Sequence, residues 1–462
     1  MKHVIVCCCV TAALSTLTAA AQPHQWTLRE CCDYAVAHNI TIKQQENQCR
    51  QQELQLSTAK NQRLPDLSAS VGQNFSFGRG LTAENTYSNT NTSSTSFSLG
   101  ASVPLFTGFQ IPNQIKLNQL NLEAATADLE KAKNDIQTQV AQAYVQILYD
   151  MEIADVARRQ VAIDSMQVVR LQALVDNGKA SGAELSQQQA TLASSRLTAT
   201  QAENTQRLAV LTLTQLLELP TPDGFAINAQ HTMHNAQSAA HEEHVSGTVP
   251  DCALCMMNCT LPSPDAIYAD ALGVKPEIQA QQLRLRATDH NIKIAQAGYL
   301  PTLSLSGGLG SNYYTTSGFP SDAFGTQLKN NFSQYIGLNL SIPIFNRFQT
   351  RNSVRNARIE QENQQLAFDN TKKTLYKEIQ QVYYNTLNAQ EKEKSSAEAV
   401  RSSNDAFLLM QAKYENGKAN ITEFNEAKNT YLRAESDYAQ AHYELLYQFA
   451  LIQFYRGHEL EF

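Results

Sequence analysis

The sequence predicts an α+β membrane protein. Each chain is expected to lend four β-strands to a shared barrel, twelve if three copies close it, and to carry long water-exposed helices. Three observations predict this. The chain states one pattern twice, at a fixed offset. Four stretches alternate apolar residues with small polar ones. Two stretches of about 65 residues, 111–175 and 349–414, hold no glycine and no proline apart from Pro112.

Composition sets the outer limits. Of 462 residues, 42% are apolar and 17% charged, and 36 Lys and Arg stand against 43 Asp and Glu. A net charge of −7 with no long basic run argues against nucleic acid as a partner. No stretch of 18 apolar residues occurs, which excludes a helical membrane protein and leaves a β-barrel open.

Residues 1–21 read as a cleaved secretory signal: Lys2, an apolar run from Val4 to Leu17, then the small residues Ala19, Ala20 and Ala21. Six cysteines follow it: Cys31, Cys32, Cys49, Cys252, Cys255 and Cys259. Export makes disulfides possible, and six cysteines can pair in about fifteen ways.

The repeat organises the rest. Val103-Pro104-Leu105-Phe106 returns 239 residues later as Ile342-Pro343-Ile344-Phe345, and Asn177-Gly178-Lys179 returns as Asn416-Gly417-Lys418. Upstream the offset is 236, carrying Leu64-Pro65 to Leu300-Pro301. The first repeat is expected over 22–220, with a helix at 28–63, strands at 66–78 and 95–106, and helices at 111–175 and 182–219. A linker follows at 221–272. The second repeat, 273–462, is expected to hold a helix at 273–298, strands at 302–313 and 332–345, and helices at 349–414 and 421–456.

Each element has its reason. Leu67, Ala69, Val71, Phe75 and Phe77 alternate with Ser68, Ser70, Gly72, Asn74 and Ser76, so one sheet face is greasy and the other small and polar. The strands at 95–106, 302–313 and 332–345 behave alike. At about ten residues each they can cross a bilayer at a tilt, and aromatics such as Phe106, Phe109, Phe345 and Phe348 sit near their ends. Four strands cannot close around water, and open edges cannot face lipid, so the wall must be shared. The hairpin loops are expected at about 79–95 and 314–331. In the helices, Leu122, Ala125, Leu129, Ala132 and Ile136 step by three and four. So do Phe424, Ala427, Tyr431, Ala434 and Tyr438. Asn177-Gly178 and Asn416-Gly417 are helix stops.

These features together resemble the TolC-type outer-membrane efflux protein family. A signal peptide and a Trp26-Thr27-Leu28 opening come first. Leu-Pro then precedes alternating strands, Pro-Leu-Phe or Pro-Ile-Phe precedes a long helix, and Asn-Gly-Lys turns follow, in both halves. The resemblance implies a homotrimer in the bacterial outer membrane, with a hollow helical barrel reaching into the periplasm. It implies contact with outer-membrane lipid, docking to a periplasmic adaptor and an inner-membrane pump, and no catalysis and no cofactor. It carries the docking role to Asn177, Gly178, Lys179, Asn416, Gly417 and Lys418, with Lys after Gly where the family often has an apolar residue. Asp176, Glu184, Glu415 and Glu423 near the same end are candidates for a cation-favouring mouth; the alternative is a solvated helix face.

The linker departs from the repeat. His231, His234, His241, His244, Cys252, Cys255 and Cys259 carry spacings found among metal ligands, and zinc or copper(I) would suit them. Disulfides, free thiols or an irregular insertion are the other readings. The functional expectation is an exit duct of a tripartite efflux or type I secretion system. A copper or zinc efflux duct and a secreted structural coiled coil stand as alternatives.

Overall fold

The computed structural model describes residues 25–81, 85–222, 224–228 and 261–460. The signal segment 1–21 and the His231–Cys259 cluster lie outside the described residues.

In chain order the elements are β1 (Gln25–Trp26), α1 (Leu28–His38), α2 (Ile40–Asn61), β2 (Asp66–Leu81), β3 (Tyr87–Thr107), α3 (Gln110–Asp176) and α4 (Gly182–Leu216). They continue as β4 (Ala226–Ile227), α5 (Pro264–Val274), α6 (Pro276–Ala297), β5 (Thr302–Thr316), α7 (Phe324–Asn330), β6 (Ser333–Ser341), α8 (Gln349–Glu415) and α9 (Ile421–Tyr455). Strands β2, β3, β5 and β6 form one antiparallel sheet in that order. Helices α3 and α8 have 67 residues each, about 100 Å at 1.5 Å per residue. Helices α2 and α4 pack along α3, α6 packs along both α3 and α8, and α9 packs along α8 and touches α3.

Two expected helices are each broken once, at matching places. The helix expected over 28–63 stops at Asn39, whose backbone is extended. Its side chain accepts from Thr41 N–H at 2.9 Å and donates to Leu216 O at 3.0 Å, so it caps α2 while tying the break to α4. The helix expected over 273–298 starts earlier, at Pro264, and breaks at Lys275 because Pro276 restricts the residue before it. Helix α5 therefore occupies part of the stretch assigned to the linker. Asn39 and Lys275 are 236 residues apart, as are the caps Thr27 and Ser263, so the offset holds through both breaks.

The sheet also differs in extent. The first hairpin connection is shorter than expected, because β2 runs to Leu81 and β3 begins at Tyr87. Its polar start pairs with β2 through the ladder and through side chains: Gln73 Nε2 donates to Ser93 Oγ at 2.8 Å, and Thr95 bonds to Gln73. Thr and Ser pair well across neighbouring strands. Conversely β6 ends at Ser341, two residues before Pro343, which has no N–H for a ladder. The second loop holds α7.

The core sits midway along the helices. Leu28, Cys31, Ala35 and Ile42 pack on Val140, Tyr144, Ile147 and Leu213. Tyr144 Oη donates to Trp26 O and Asn228 O, which pins the parallel β1–β4 pair. A second cluster joins Ile267, Ile278, Leu375, Ile379 and Ile452. Cys31, Cys32 and Cys49 are free thiols.

Candidate functional site

Register sorts the sheet residues into two faces. Ser68, Gly100, Gly308 and Tyr335 lie in one row across the four strands, and Ser70, Ser98, Gly310 and Ser333 in another. Ser70 and Ser98 share a hydrogen bond of 2.6 Å. On the other face, Ala69 pairs with Leu99 and Leu99 with Leu309, while Val103, Leu305 and Leu338 form a further row. That greasy face is uncovered: Val71 is 70% exposed, Leu338 68% and Ile336 84%. Large apolar side chains in such numbers on a water-exposed surface would be a heavy cost; against lipid they are at home.

The outer edges of β2 and β6 have no partner strand among the described residues. One inner edge does find a substitute. Strand β5 outruns β6 beyond Gly310, and there Gln327 of α7 acts as a one-residue strand. Its amide accepts from Tyr314 N–H at 2.9 Å and donates to Tyr314 O at 3.0 Å. Asn331 Nδ2 donates to Asn312 O at 2.7 Å, and Phe324 packs edge-on against Tyr313. The chain thus caps β5 where β6 ends and leaves β2 and β6 open along their length.

At the other end of the strands, the chain turns sharply into the long helices. Gly108 and Phe109, and again Arg347 and Phe348, take left-handed backbone angles. At Gly108 this is a tight approach as well, since a Cβ would lie 2.8 Å from Ala297 O. Phe106 and Phe109, and likewise Phe345 and Phe348, meet edge to face within 5.4 Å. These aromatic pairs mark the foot of the sheet.

The helix tips are two copies of one motif. Lys179 N–H donates to Leu174 O and Lys418 N–H to Lys413 O, each at 2.8 Å, while Gly178 and Gly417 take φ of 67° and 68°. Asn177 and Asn416 each donate a side-chain N–H to the carbonyl four residues back. All six tip residues proposed for docking lie at the ends of α3 and α8, and all six are exposed. The four carboxylates lie there too, in unequal settings. Glu423 forms a capping box with Asn420, Asp176 accepts from Gln172, Glu415 accepts from Gln411, and Glu184 sits in the first turn of α4.

Sequence reasoning missed what joins the distal helices. Asp164 of α3 and Lys428 of α9 are fully buried and form an ion pair. Ser195 Oγ donates to the same carboxylate at 2.5 Å and Gln188 Nε2 at 3.3 Å, and Asn425 donates to Gln188 at 3.0 Å. The buried seam of α9 runs through Phe424, Lys428 and Leu432, one residue beyond the expected Ala427 and Tyr431. A lysine four residues after a phenylalanine on a buried stripe was the available signal. Nearer the tip, the Arg170 guanidinium lies over the Tyr414 ring at 5.0 Å and donates to Glu415 O at 3.2 Å, tying α3 to α8. Burial raises the Tyr414 hydroxyl pKa against the pull of Arg170. Midway along, Lys275 is buried between the rings of Phe454 and Tyr455, at 4.1 and 4.4 Å, and burial lowers its pKa.

Lipid-compatible strands with a polar reverse face, carried on long wetted helices, define an α+β outer-membrane channel fold. A profile of the outer membrane efflux protein family matches residues 32–218 and 267–458, and the chain belongs to that family. Its members are channels rather than enzymes. The chain is 24% identical over 328 residues to the outer membrane efflux protein BepC of Brucella suis, covering 70% of this chain and 62% of BepC. It is 26% identical over 156 residues to the outer membrane protein OprJ of Pseudomonas aeruginosa, covering 34% of this chain and 31% of OprJ. The chain thus spans less than two thirds of the curated relatives it matches. The crystal structure of the outer membrane protein VceC from Vibrio cholerae has the same fold, with a TM-score of 0.72 at 17% identity over 94% of this chain and 97% of that one.

Proposed function

We propose that three copies join edge to edge, β6 of one to β2 of the next, and form a water-filled exit duct through the outer membrane. The observation that carries this is the four-stranded sheet with one greasy face, one Ser/Gly/Asn face and two open edges. Every unpaired N–H and C=O in hydrocarbon costs several kcal/mol, so such a sheet is stable in lipid only inside a closed ring. Twelve strands leave a bore where eight would be filled by side chains. The small neutral reverse face suits water and passing solutes. A structural coiled coil has no use for any of these features.

The duct serves as the outer component of a tripartite efflux or type I secretion assembly, carrying small molecules or proteins outward. Its helix tips at Asn177–Lys179 and Asn416–Lys418 meet a periplasmic adaptor that links it to an inner-membrane pump. Two identical exposed turns per chain give six per trimer, a surface suited to an adaptor that binds in rings. Asp176, Glu184 and Glu415 line the mouth and favour cations. Purified trimer in planar bilayers tests the reading: discrete trimer-dependent conductance is expected, and its absence overturns the duct.

A further inference from the structure

We propose that the corner and first turns of α8 form a binding surface for anionic phospholipid headgroups of the inner leaflet of the outer membrane. The inference rests on the reading of the sheet as membrane-spanning. Residues 347–358 hold four arginines, Arg347, Arg351, Arg355 and Arg358, and no acidic residue, in a chain whose net charge is −7. All four are exposed, and none joins an ion pair among the described residues. Arg351, Arg355 and Arg358 are spaced by four and three, so they share one helix face.

Arg351, in the first turn of α8, runs against helix electrostatics. The N-terminus of a helix carries partial positive charge, which favours acidic side chains and disfavours basic ones. Helix α8 has no acidic residue in its first turn and no side-chain cap. Arg351 and the N-terminal N–H groups of the first turn work against each other unless an anion neutralises both. The repeat does not impose the arrangement. In the first half the equivalent positions are Gly108, Pro112, Lys116 and Gln119, with one basic residue among four.

Depth and direction select the anion. The corner follows the foot of β6 directly, and Arg358 lies nine residues into α8, about 14 Å at 1.5 Å per residue. The headgroup layer and its surface potential reach about that far from the hydrocarbon. The Arg351 guanidinium lies over the exposed Phe348 ring at 5.6 Å, so the charged face continues the aromatic foot of the sheet. The opposite face of α8 shows Gln349, Ser353, Asn356 and Glu360, with no basic residue. We place the arginine face outward, toward lipid, and the Glu360 face toward the bore. Guanidinium forks match phosphate oxygens in charge and geometry. Asp289 and Glu362 share a groove with Arg286 and Arg358, so Arg358 is the weakest member.

The test uses the full chain reconstituted as a trimer in nanodiscs, with spin-labelled phosphatidylglycerol or phosphatidylcholine as probe. The immobilised fraction at the protein surface gives a selectivity ratio. The native chain is expected to favour phosphatidylglycerol by at least about fivefold, the factor one basic residue near a charged surface supplies. The ratio falls toward one in the R351Q/R355Q/R358Q variant and at high salt, and stays native in the distal R401Q variant. Should the triple variant fail to assemble, R355Q alone is measured, with a partial fall expected. Equal binding of both lipids to the native chain, or a ratio unchanged by these substitutions, overturns the proposal. So does loss of binding to purified peptidoglycan sacculi in the variant while its lipid ratio stays native. Conductance separates the two readings: a conducting native trimer without lipid selectivity overturns only this inference, and a non-conducting one overturns the duct.

Discussion

Replacing Lys428 by Met should loosen the distal half of the helical assembly. The substitution keeps the length and apolar stem of the side chain and removes only the ammonium. It strands the Asp164 carboxylate, fully buried, with Ser195 and Gln188 as its remaining donors. Removing one partner of a buried pair costs about 3–5 kcal/mol, because the other charge is left uncompensated. Two neutral hydrogen bonds recover part of that, which places the expected loss near 3 kcal/mol. The pair joins α3 to α9 with α4 beside it, so the loss is local. Hydrogen exchange read at 160–195 and 424–432 should speed up by about two decades, since about 1.4 kcal/mol is tenfold. The residues around Val140 and Tyr144 should stay protected. The double variant Asp164→Leu with Lys428→Met removes both charges and should return exchange close to native, as apolar replacements of buried pairs often do. Native-like exchange in Lys428→Met alone, or a double variant as loose as the single one, would refute the reasoning.

Other outcomes follow from the same structure. Lys179→Glu with Lys418→Glu should lower export in cells and adaptor binding in pull-downs while leaving bilayer conductance intact, because both residues sit on exposed turns clear of the core. Asp176→Asn, Glu184→Gln and Glu415→Gln together should cut cation preference, read as a smaller reversal potential across a salt gradient. Glu423 is kept because it caps α9. Cys31 and Cys32 are held neutral by burial, with pKa pushed from 9.0 up to about 12. They should resist alkylation at pH 8 until the fold opens. The stability they contribute is complete below pH 9.0 and lost as pH rises to about 12, so thermal melts should fall across that window.

The repeat and the strands were legible because each depends on spacing alone. Alternation of Leu67 through Phe77 fixes two sheet faces whatever else the chain does. Long helices were legible from the lack of Gly and Pro. The breaks at Asn39 and Lys275 were not. Each depends on one residue, and only Pro276 announces itself; Asn39 acts through a bond to Leu216, which is 177 residues away. The early start of β3 was hidden by Asn89–Ser94, which reads as loop and is held as strand by its partner β2. Helix α7 is short, and its role as a stand-in strand exists only beside Tyr314. At the site, the tips were visible as Asn-Gly turns. The Asp164–Lys428 pair was not, because the apolar steps Ala427 and Tyr431 point to a seam one residue before the buried Lys428 and Leu432.

The central claim is that open sheet edges meet between chains. Cysteines placed along β2 at Ser68 and Ser70 and along β6 at Ser333 and Gly337, one on each strand, would be oxidised in native membranes and compared with the parent chain. The account predicts intermolecular bonds at some pairings, in a ladder that stops at three chains. Bonds between β2 and β6 of the same chain, or a ladder that stops at two, would contradict it.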